Sequence, residues 1–379
     1  MRFTSETSLR SSHHSARPHL GMLTQVRWSM LVVALLLALV GLATIHSASS
    51  ELATDYSPRQ ALWLGLGLLV FFAAFLFDYQ LLTSFGLTIY GGSLVLLILV
   101  LLIGKEAGGA QSWLGVGSVR FQPSEFAKIA TALLLARYVA GCNRSVLKVN
   151  EILVASLIAA IPMALVSLQP DLGGAAMFVP MLAGVLLIAG IQWRLLVTAF
   201  VLVLALGAGV WNFAMFDYQK ERIKTFVSPD RDPLGAGYQL RQSKIAVGSG
   251  RFLGRGYKQG TQSQLRFLPA RHTDFILAVL AEEWGFLGVV TVLVLYFVYI
   301  LNGAQVAMRA RDRRGVLLAV GLLSGFSFHV LYNTAMVVGL LPITGIPLPF
   351  LSYGGSFILT NFAVTGLILG VDFRRHVNA

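Results

Sequence analysis

Uncharged runs of membrane-spanning length recur along the chain. Residues 28–50, 60–77, 79–104, 152–170, 172–193, 195–216 and 284–308 contain no Asp, Glu, Lys or Arg. A helix crosses the hydrocarbon core in roughly 20 apolar residues, so each run predicts one span. Residues 315–371 form an uncharged run of 57 residues, too long for one crossing. Pro342, Pro347, Pro349 and the Gly354–Gly355 pair divide it into two. A further helix over about Ser124–Ala140 is apolar apart from Glu125, Lys128 and Arg137. The pattern predicts an all-α polytopic membrane protein with ten transmembrane helices and one long extracytoplasmic loop between helices 7 and 8. The tail 1–27 comes first, then the ten-helix domain 28–373 with its loop 214–273, then the tail 374–379. Ser47-Ala48-Ser49 offers small residues for signal-peptide cleavage. The apolar run before it is long for that purpose and favours an uncleaved first span.

Composition agrees with the pattern. Of 379 residues, 56% are hydrophobic and 12% charged, against about 25% charged in a soluble domain. Such a chain cannot cover itself with polar surface. The only cysteine, Cys142, excludes an internal disulfide. The net charge of +12 reads as the positive-inside rule. With the N-terminus in the cytoplasm, the inside segments hold thirteen Lys or Arg, among them Arg2, Arg27, Arg144, Arg309, Arg313 and Arg375. The short outside connectors hold three, Arg59, Lys105 and Arg120. Both termini are therefore predicted to be cytoplasmic. The seventh connector departs from the bias. Residues 214–271 carry eleven Lys or Arg against Asp217, Glu221, Asp230 and Asp232. Long loops translocate largely regardless of charge, but this loop must still meet some anion.

The chemically unusual segments share one side. They are Gly109–Gly115 leading to Gln122-Pro123-Ser124-Glu125, the tight Gln169-Pro170-Asp171-Leu172-Gly173-Gly174, the long basic loop, and Pro347–Ser356. All lie in odd-numbered connectors and so face outside. Glu125 and Lys128, at i and i+3, share a helix face. They either neutralise each other or point into a cavity. Asp171 suits a helix cap as well as a functional role. Asp274 opens the eighth span at the membrane boundary, where burial raises a carboxylate's proton affinity and nearby Arg271 and His272 lower it. An intermediate affinity suits a general base. Glu282 lies about 12 Å deeper and Glu283 on the opposite face, so the pair reads as bundle contacts. His329 and Asn333, at i and i+4, read as an interhelical hydrogen bond. The glycines at 248, 250, 254, 256 and 260 do not fit Gly-x-Gly-x-x-Gly, and no P-loop follows. No Cys/His metal cluster, nucleophile elbow or basic stripe of a nucleic-acid binder appears.

The basic loop fits two anions. Its cations, Arg222, Lys244 and Arg271 among them, could gather about a phosphate or pyrophosphate, or touch anionic headgroups. Together with a carboxylate at membrane level, they favour a substrate with an anionic head and a lipid tail.

Five motifs jointly resemble one family. They are Gln122-Pro123-Ser124-Glu125, Gln169-Pro170-Asp171-Leu172-Gly173, Asp232-Pro233-Leu234-Gly235-Ala236-Gly237-Tyr238, Arg271-His272-Thr273-Asp274-Phe275 and Pro349-Phe350-Leu351-Ser352-Tyr353-Gly354-Gly355. The chain resembles the SEDS proteins (shape, elongation, division and sporulation) from about Trp28 to Arg374, and their elongation branch more than their division branch. Ala270 stands where the family pattern carries Glu.

The resemblance implies a peptidoglycan glycosyltransferase of the bacterial inner membrane that polymerises lipid II at the outer face. It also implies a class B penicillin-binding protein as transpeptidase partner, within an assembly of elongation-complex membrane proteins. Asp274 maps onto the family's essential carboxylate and would act as general base. Trp113 and Gln262 are expected near the sugar, with Glu125 and Lys128 shaping the cavity. Arg222, Lys244 and Arg271 are expected near the pyrophosphate, and Asp171, His272 and Ser352 complete the expected substrate-binding set. The sequence requires no cofactor but leaves room for a divalent cation (Mg or Mn). Two other classes compete: a flippase moving lipid II across the bilayer, which suits intramembrane charges and broken helices, and a non-catalytic scaffold for the transpeptidase.

Overall fold

The computed structural model describes residues 25–50, 55–107, 110–116, 119–142, 146–192, 195, 197–198, 220, 224–228, 232 and 235–377. The first four helices are α1 (Ser29–Ser49), α2 (Ser57–Leu76), the short α3 (Tyr79–Ser84) and α4 (Gly86–Ile103). Three strands follow, β1 (Lys105–Ala107), β2 (Ala110–Val116) and β3 (Val119–Phe121). Next come α5 (Pro123–Gly141), α6 (Val149–Leu168), α7 (Leu172–Ala176) and α8 (Phe178–Ala189). The long connector contributes α9 (Ala236–Ser249) and α10 (Thr261–Gln264), and the chain closes with α11 (Ile276–Arg309), α12 (Arg313–Val337) and α13 (Gly355–Val377).

Eight helical stretches among the described residues are long and apolar enough to cross a membrane, with α7 and α8 forming one of them. α5 is a further helix of 19 residues that carries Glu125, Lys128 and Arg137. The span predicted over 195–216 lies outside the described residues, apart from isolated positions near its start. The chain is a multi-pass membrane protein.

Local sequence sets the helix starts. Pro58 and Pro123 open α2 and α5, where a missing N–H is tolerated. Asp78, Asp171 and Asp312 cap α3, α7 and α12 by accepting from Gln80, Gly174 and Gly315 amides at 2.8, 2.8 and 3.1 Å. The predicted break in 315–371 falls at residues 338–354, between α12 and α13.

α13 is the axis of the bundle. Its apolar window is 83% buried, against 22% for α2 and α6, which face lipid. Gly366 lets α13 close on the Phe71 carbonyl of α2, where a Cβ would lie 2.5 Å from the oxygen. The helical class is joined by one unpredicted feature, a three-stranded antiparallel sheet in the third connector, in the order β1-β2-β3. Lys105 pairs with Trp113 and Gly115 with Arg120. Strands of three and seven residues satisfy their backbone only outside hydrocarbon, so the sheet belongs to a connector.

Direct contacts draw the odd-numbered connectors together. Tyr56 stacks on His272, Ser50 bonds Gln264, Gln122 bonds both Asp171 and Ser356, and Tyr353 bonds His272. The even connectors and C-terminal segment meet separately, through Tyr79–Asp312, Arg374–Asp78 and Arg313 with the Ala189 carbonyl.

α11 is broken at Gly285, whose backbone (φ 65, ψ −163) is not helical. The glycine-rich part of the long connector fills this break. Arg255 and Gly256 amides donate to the Glu282 and Glu283 carbonyls at 2.9 and 3.0 Å, and Phe286 and Leu287 amides donate to the Arg251 and Phe252 carbonyls at 2.9 and 3.1 Å. Loop backbone thus supplies partners that a broken helix lacks. Gly254 (φ +81) allows this approach, since a Cβ there would overlap the Glu283 carbonyl.

Candidate active site

The stretch Arg271–Phe275 enters α11 from a turn at Ala270, which holds a left-handed φ of 49. The Ala270 carbonyl accepts from Thr273 and Phe275 amides at 3.1 and 3.3 Å and from the Thr273 hydroxyl at 3.2 Å. Phe275 is fully buried and anchors the helix start. The carbonyls of residues 272–274 are each held by a different donor from the α12–α13 region. Tyr353 N–H donates to His272 at 2.9 Å, Ser352 Oγ to Thr273 at 2.7 Å and Asn333 Nδ2 to Asp274 at 2.8 Å. The backbone that carries Asp274 is thereby fixed on both sides.

Asp274 itself is half-buried. Its Oδ2 lies 3.8 Å from where a Cβ of Gly345 would stand, and Gly345 has φ +75. A glycine therefore meets the backbone requirement and leaves the carboxylate free of a side-chain wall there. His272 stacks on Tyr56 at 4.6 Å and 13° and meets Tyr353 edge-on at 5.9 Å. Burial first, and the Arg271 charge second, hold its imidazole below the usual histidine range.

Behind this surface lies a buried charged network. Lys128 Nζ donates to Glu125 Oε1 at 2.7 Å and lies 3.3 Å from His329 Nε2. His329 Nδ1 lies 3.1 Å from the Pro347 carbonyl. Glu125, Lys128, His329 and Asn361 line a cavity of about 30 Å³, room for a water or two. The two charges bond each other and together border this cavity. His329 and Asn333 reach the loop 346–353 and the Asp274 backbone, whereas the sequence suggested a bond between helices alone.

The other expected residues take varied places. Ser352 is fully buried; its hydroxyl donates to Thr273 and accepts from the Leu348 amide at 2.8 Å. The structure thus gives its hydroxyl two partners within the protein. Arg271 is buried at 3% exposure. Asp171 caps α7 and accepts from Gln122 Nε2 at 3.2 Å. Gln262 follows Gly260 in α10, whose first amides are held by Glu282: Gln262 and Ser263 N–H donate to its carboxylate at 2.9 and 3.2 Å. Glu283 accepts from Ser47. The two glutamates are packing contacts, as expected. Lys244 is exposed on α9 and lies across Gly339, just past the end of α12. Trp113 is half-buried in β2. Arg222 lies outside the described residues. Tyr56 and Tyr353, the ring partners of His272, carried no signal that distinguished them from interfacial anchors. Among the described residues, no three His, Cys, Asp or Glu side chains gather to hold a metal ion.

A half-buried carboxylate, clamped where connectors converge at one end of a helical bundle, defines a polytopic membrane protein with a polar site at its surface. The family model for FtsW, RodA and SpoVE, described as "Cell cycle protein", matches residues 27–376. The chain belongs to this family. Peptidoglycan glycosyltransferase MrdB of Escherichia coli K12 is 40% identical over 349 residues, covering 92% of this chain and 93% of that protein. Peptidoglycan glycosyltransferase RodA of Treponema pallidum is 32% identical, covering 91% and 97%. Among solved structures, a chain of a peptidoglycan synthase complex that coordinates polymerization and crosslinking superposes with a TM-score of 0.80 at 32% identity, covering 92% and 98%. The rod shape determining protein RodA of Thermus thermophilus superposes at 0.69 and 30% identity, covering 92% and 97%.

Proposed function

We propose that Asp274 is the general base of a glycosyl transfer at the outer face of the membrane. The chain is a peptidoglycan glycosyltransferase. Its acceptor is lipid II and its donor the growing lipid-linked glycan. Asp274 takes the proton from the acceptor 4-hydroxyl as that oxygen bonds the donor's anomeric carbon. The carbon–oxygen bond to the diphosphate breaks, and the electron pair leaves with undecaprenyl diphosphate, inverting the centre. Exposed cations of the long connector, Lys244 among them, stabilise the leaving charge. Arg222 remains a candidate for the same role. Trp113 and Gln262 flank the sugar path. The charge bias between connectors supports two cytoplasmic termini and an outward-facing site, and cell elongation is the setting that the motifs favour. A class B penicillin-binding protein is the crosslinking partner.

The observation that carries this reading is the half-buried Asp274 on a backbone whose carbonyls at 272, 273 and 274 are all held. Preorganisation of this kind positions a base before substrate arrives. The test uses the full chain, purified with its transpeptidase partner, and lipid II in detergent. Wild type should yield long glycan strands and Asp274→Ala none. A folded, partner-bound Asp274→Ala that polymerises normally removes the base. If wild type makes no strands while vesicles show lipid II translocation, the chain is a flippase instead.

A further inference from the structure

His329 and Asn333 stand one turn apart on the buried face of α12. Asn333 Nδ2 donates to two carbonyls at once, Asp274 and Ile346, each at 2.8 Å. An amide group has two such donors, and both are used on chain segments that meet at the site. His329 holds the neighbouring peptide. Its Nε2 faces the Lys128 ammonium and its Nδ1 faces the Pro347 carbonyl. An ammonium offers no acceptor and a carbonyl no donor. Both contacts therefore form in one state alone, the neutral imidazole with its proton on Nδ1. Glu125 fixes Lys128 from the far side.

The consequence runs from α5 to the reacting surface. Glu125 orients Lys128, Lys128 sets the His329 tautomer, and His329 pins Pro347. Asn333 pins Ile346 next to it, and with the same group the peptide of Asp274. Gly345, which faces the Asp274 carboxylate, directly precedes the two pinned residues. Taking Asp274 as the base, we propose that Asn333 and His329 are positioning residues for it, Asn333 directly and His329 as the Nδ1–H tautomer set by Lys128. Neither touches substrate. They fix where the carboxylate stands relative to the 345–347 backbone.

The test compares wild type with Asn333→Asp, His329→Asn, His329→Gln and Thr334→Val, each full-length and bound to the transpeptidase. Lipid II polymerisation gives kcat and KM, and amide hydrogen exchange is followed over 346–353. Aspartate matches asparagine in shape but cannot donate to two carbonyls. A misplacement of about 1 Å costs roughly 100-fold, so Asn333→Asp should lose about that factor in kcat, with KM within about threefold, as expected for an interaction felt in the transition state. Its exchange over 346–353 should accelerate. His329→Asn keeps a donor at the Nδ1 position and should hold turnover within about threefold, whereas His329→Gln places its amide at the Nε2 position and should lose at least about tenfold. Thr334→Val, whose hydroxyl bonds only its own helix at Val330, should match wild type in both readouts. Wild-type kcat in folded Asn333→Asp, a loss confined to KM, or equal behaviour of the two His329 variants overturns the proposal. Should wild type fail to polymerise at all, the base assignment falls, and the exchange data alone decide the clamp: unchanged exchange in Asn333→Asp overturns it.

Discussion

Ser352→Ala separates a structural staple from a substrate contact. The hydroxyl accepts from the Leu348 amide at 2.8 Å and donates to the Thr273 carbonyl at 2.7 Å, with Leu348 and Ser352 both fully buried. Alanine removes both bonds without adding volume. The buried Leu348 N–H then lacks an acceptor, at a cost of about 1–3 kcal/mol, and the loss of the Thr273 bond adds about 0.5–1.5 kcal/mol. The total is about 1.5–4.5 kcal/mol. With an unfolding entropy of about 2.1 cal/mol/K per residue, the 379-residue chain should lose about 2–6 °C in Tm. The assay is a thermal series in one detergent, reading the folded, partner-bound fraction by size exclusion, alongside KM for lipid II well below the transition. A staple predicts the Tm loss with KM nearly unchanged. An unchanged Tm with KM raised about tenfold, the mark of lost ground-state binding, would refute the assignment and return Ser352 to the substrate.

Two further substitutions probe the scaffold in the same thermal assay. Gly254→Ala places a side chain at φ +81 and against the Glu283 carbonyl, displacing the loop that bonds Glu282 and Glu283. Left-handed backbone at about 1–2 kcal/mol and two lost bonds at about 1 kcal/mol each give a destabilisation of roughly 3–4 kcal/mol, whereas Gly248→Ala, which faces open space, should be near neutral. Lys128→Met strands the buried Glu125 and should cost about 3–5 kcal/mol, while the double variant Glu125→Gln, Lys128→Met should cost less than that single change; a double variant at least as destabilised would contradict a neutralised pair.

Much of the fold was legible because the bilayer simplifies the code. Uncharged runs give spans, and prolines and glycines divide them. The break between α12 and α13 falls where Pro342, Pro347, Pro349 and Gly354–Gly355 stand. The place of Asp274 at the start of α11 was legible for the same reason, since an apolar run begins just beyond it. What remained hidden rests on backbone geometry. The pairing of residues 251–256 with the break at Gly285 uses main-chain groups, so glycine spacing suggested turns and nothing more. Ser352 looked like a substrate contact because its motif lies on the site's side of the membrane. Only coordinates show that its hydroxyl is turned inward. The pairing of Tyr56 with His272 joins residues far apart in sequence, with no periodicity to reveal it.

The site's construction follows from where it sits. A base at the edge of a bilayer needs a fixed position, yet a lipid-facing bundle has little polar side chain to spare for holding it. The family's solution here uses peptide carbonyls as handles. Carbonyls 272–274 and 346–347 are gripped by one amide, one hydroxyl, one imidazole and one main-chain N–H. These donors are neutral, so they hold the backbone without placing a counter-charge beside the carboxylate. The Glu125–Lys128 pair is kept on the far side of His329, where the two charges neutralise each other and reach the loop through its tautomer. Separating the grip from the charge lets α12 and the loop after it hold the Asp274 backbone through neutral donors alone.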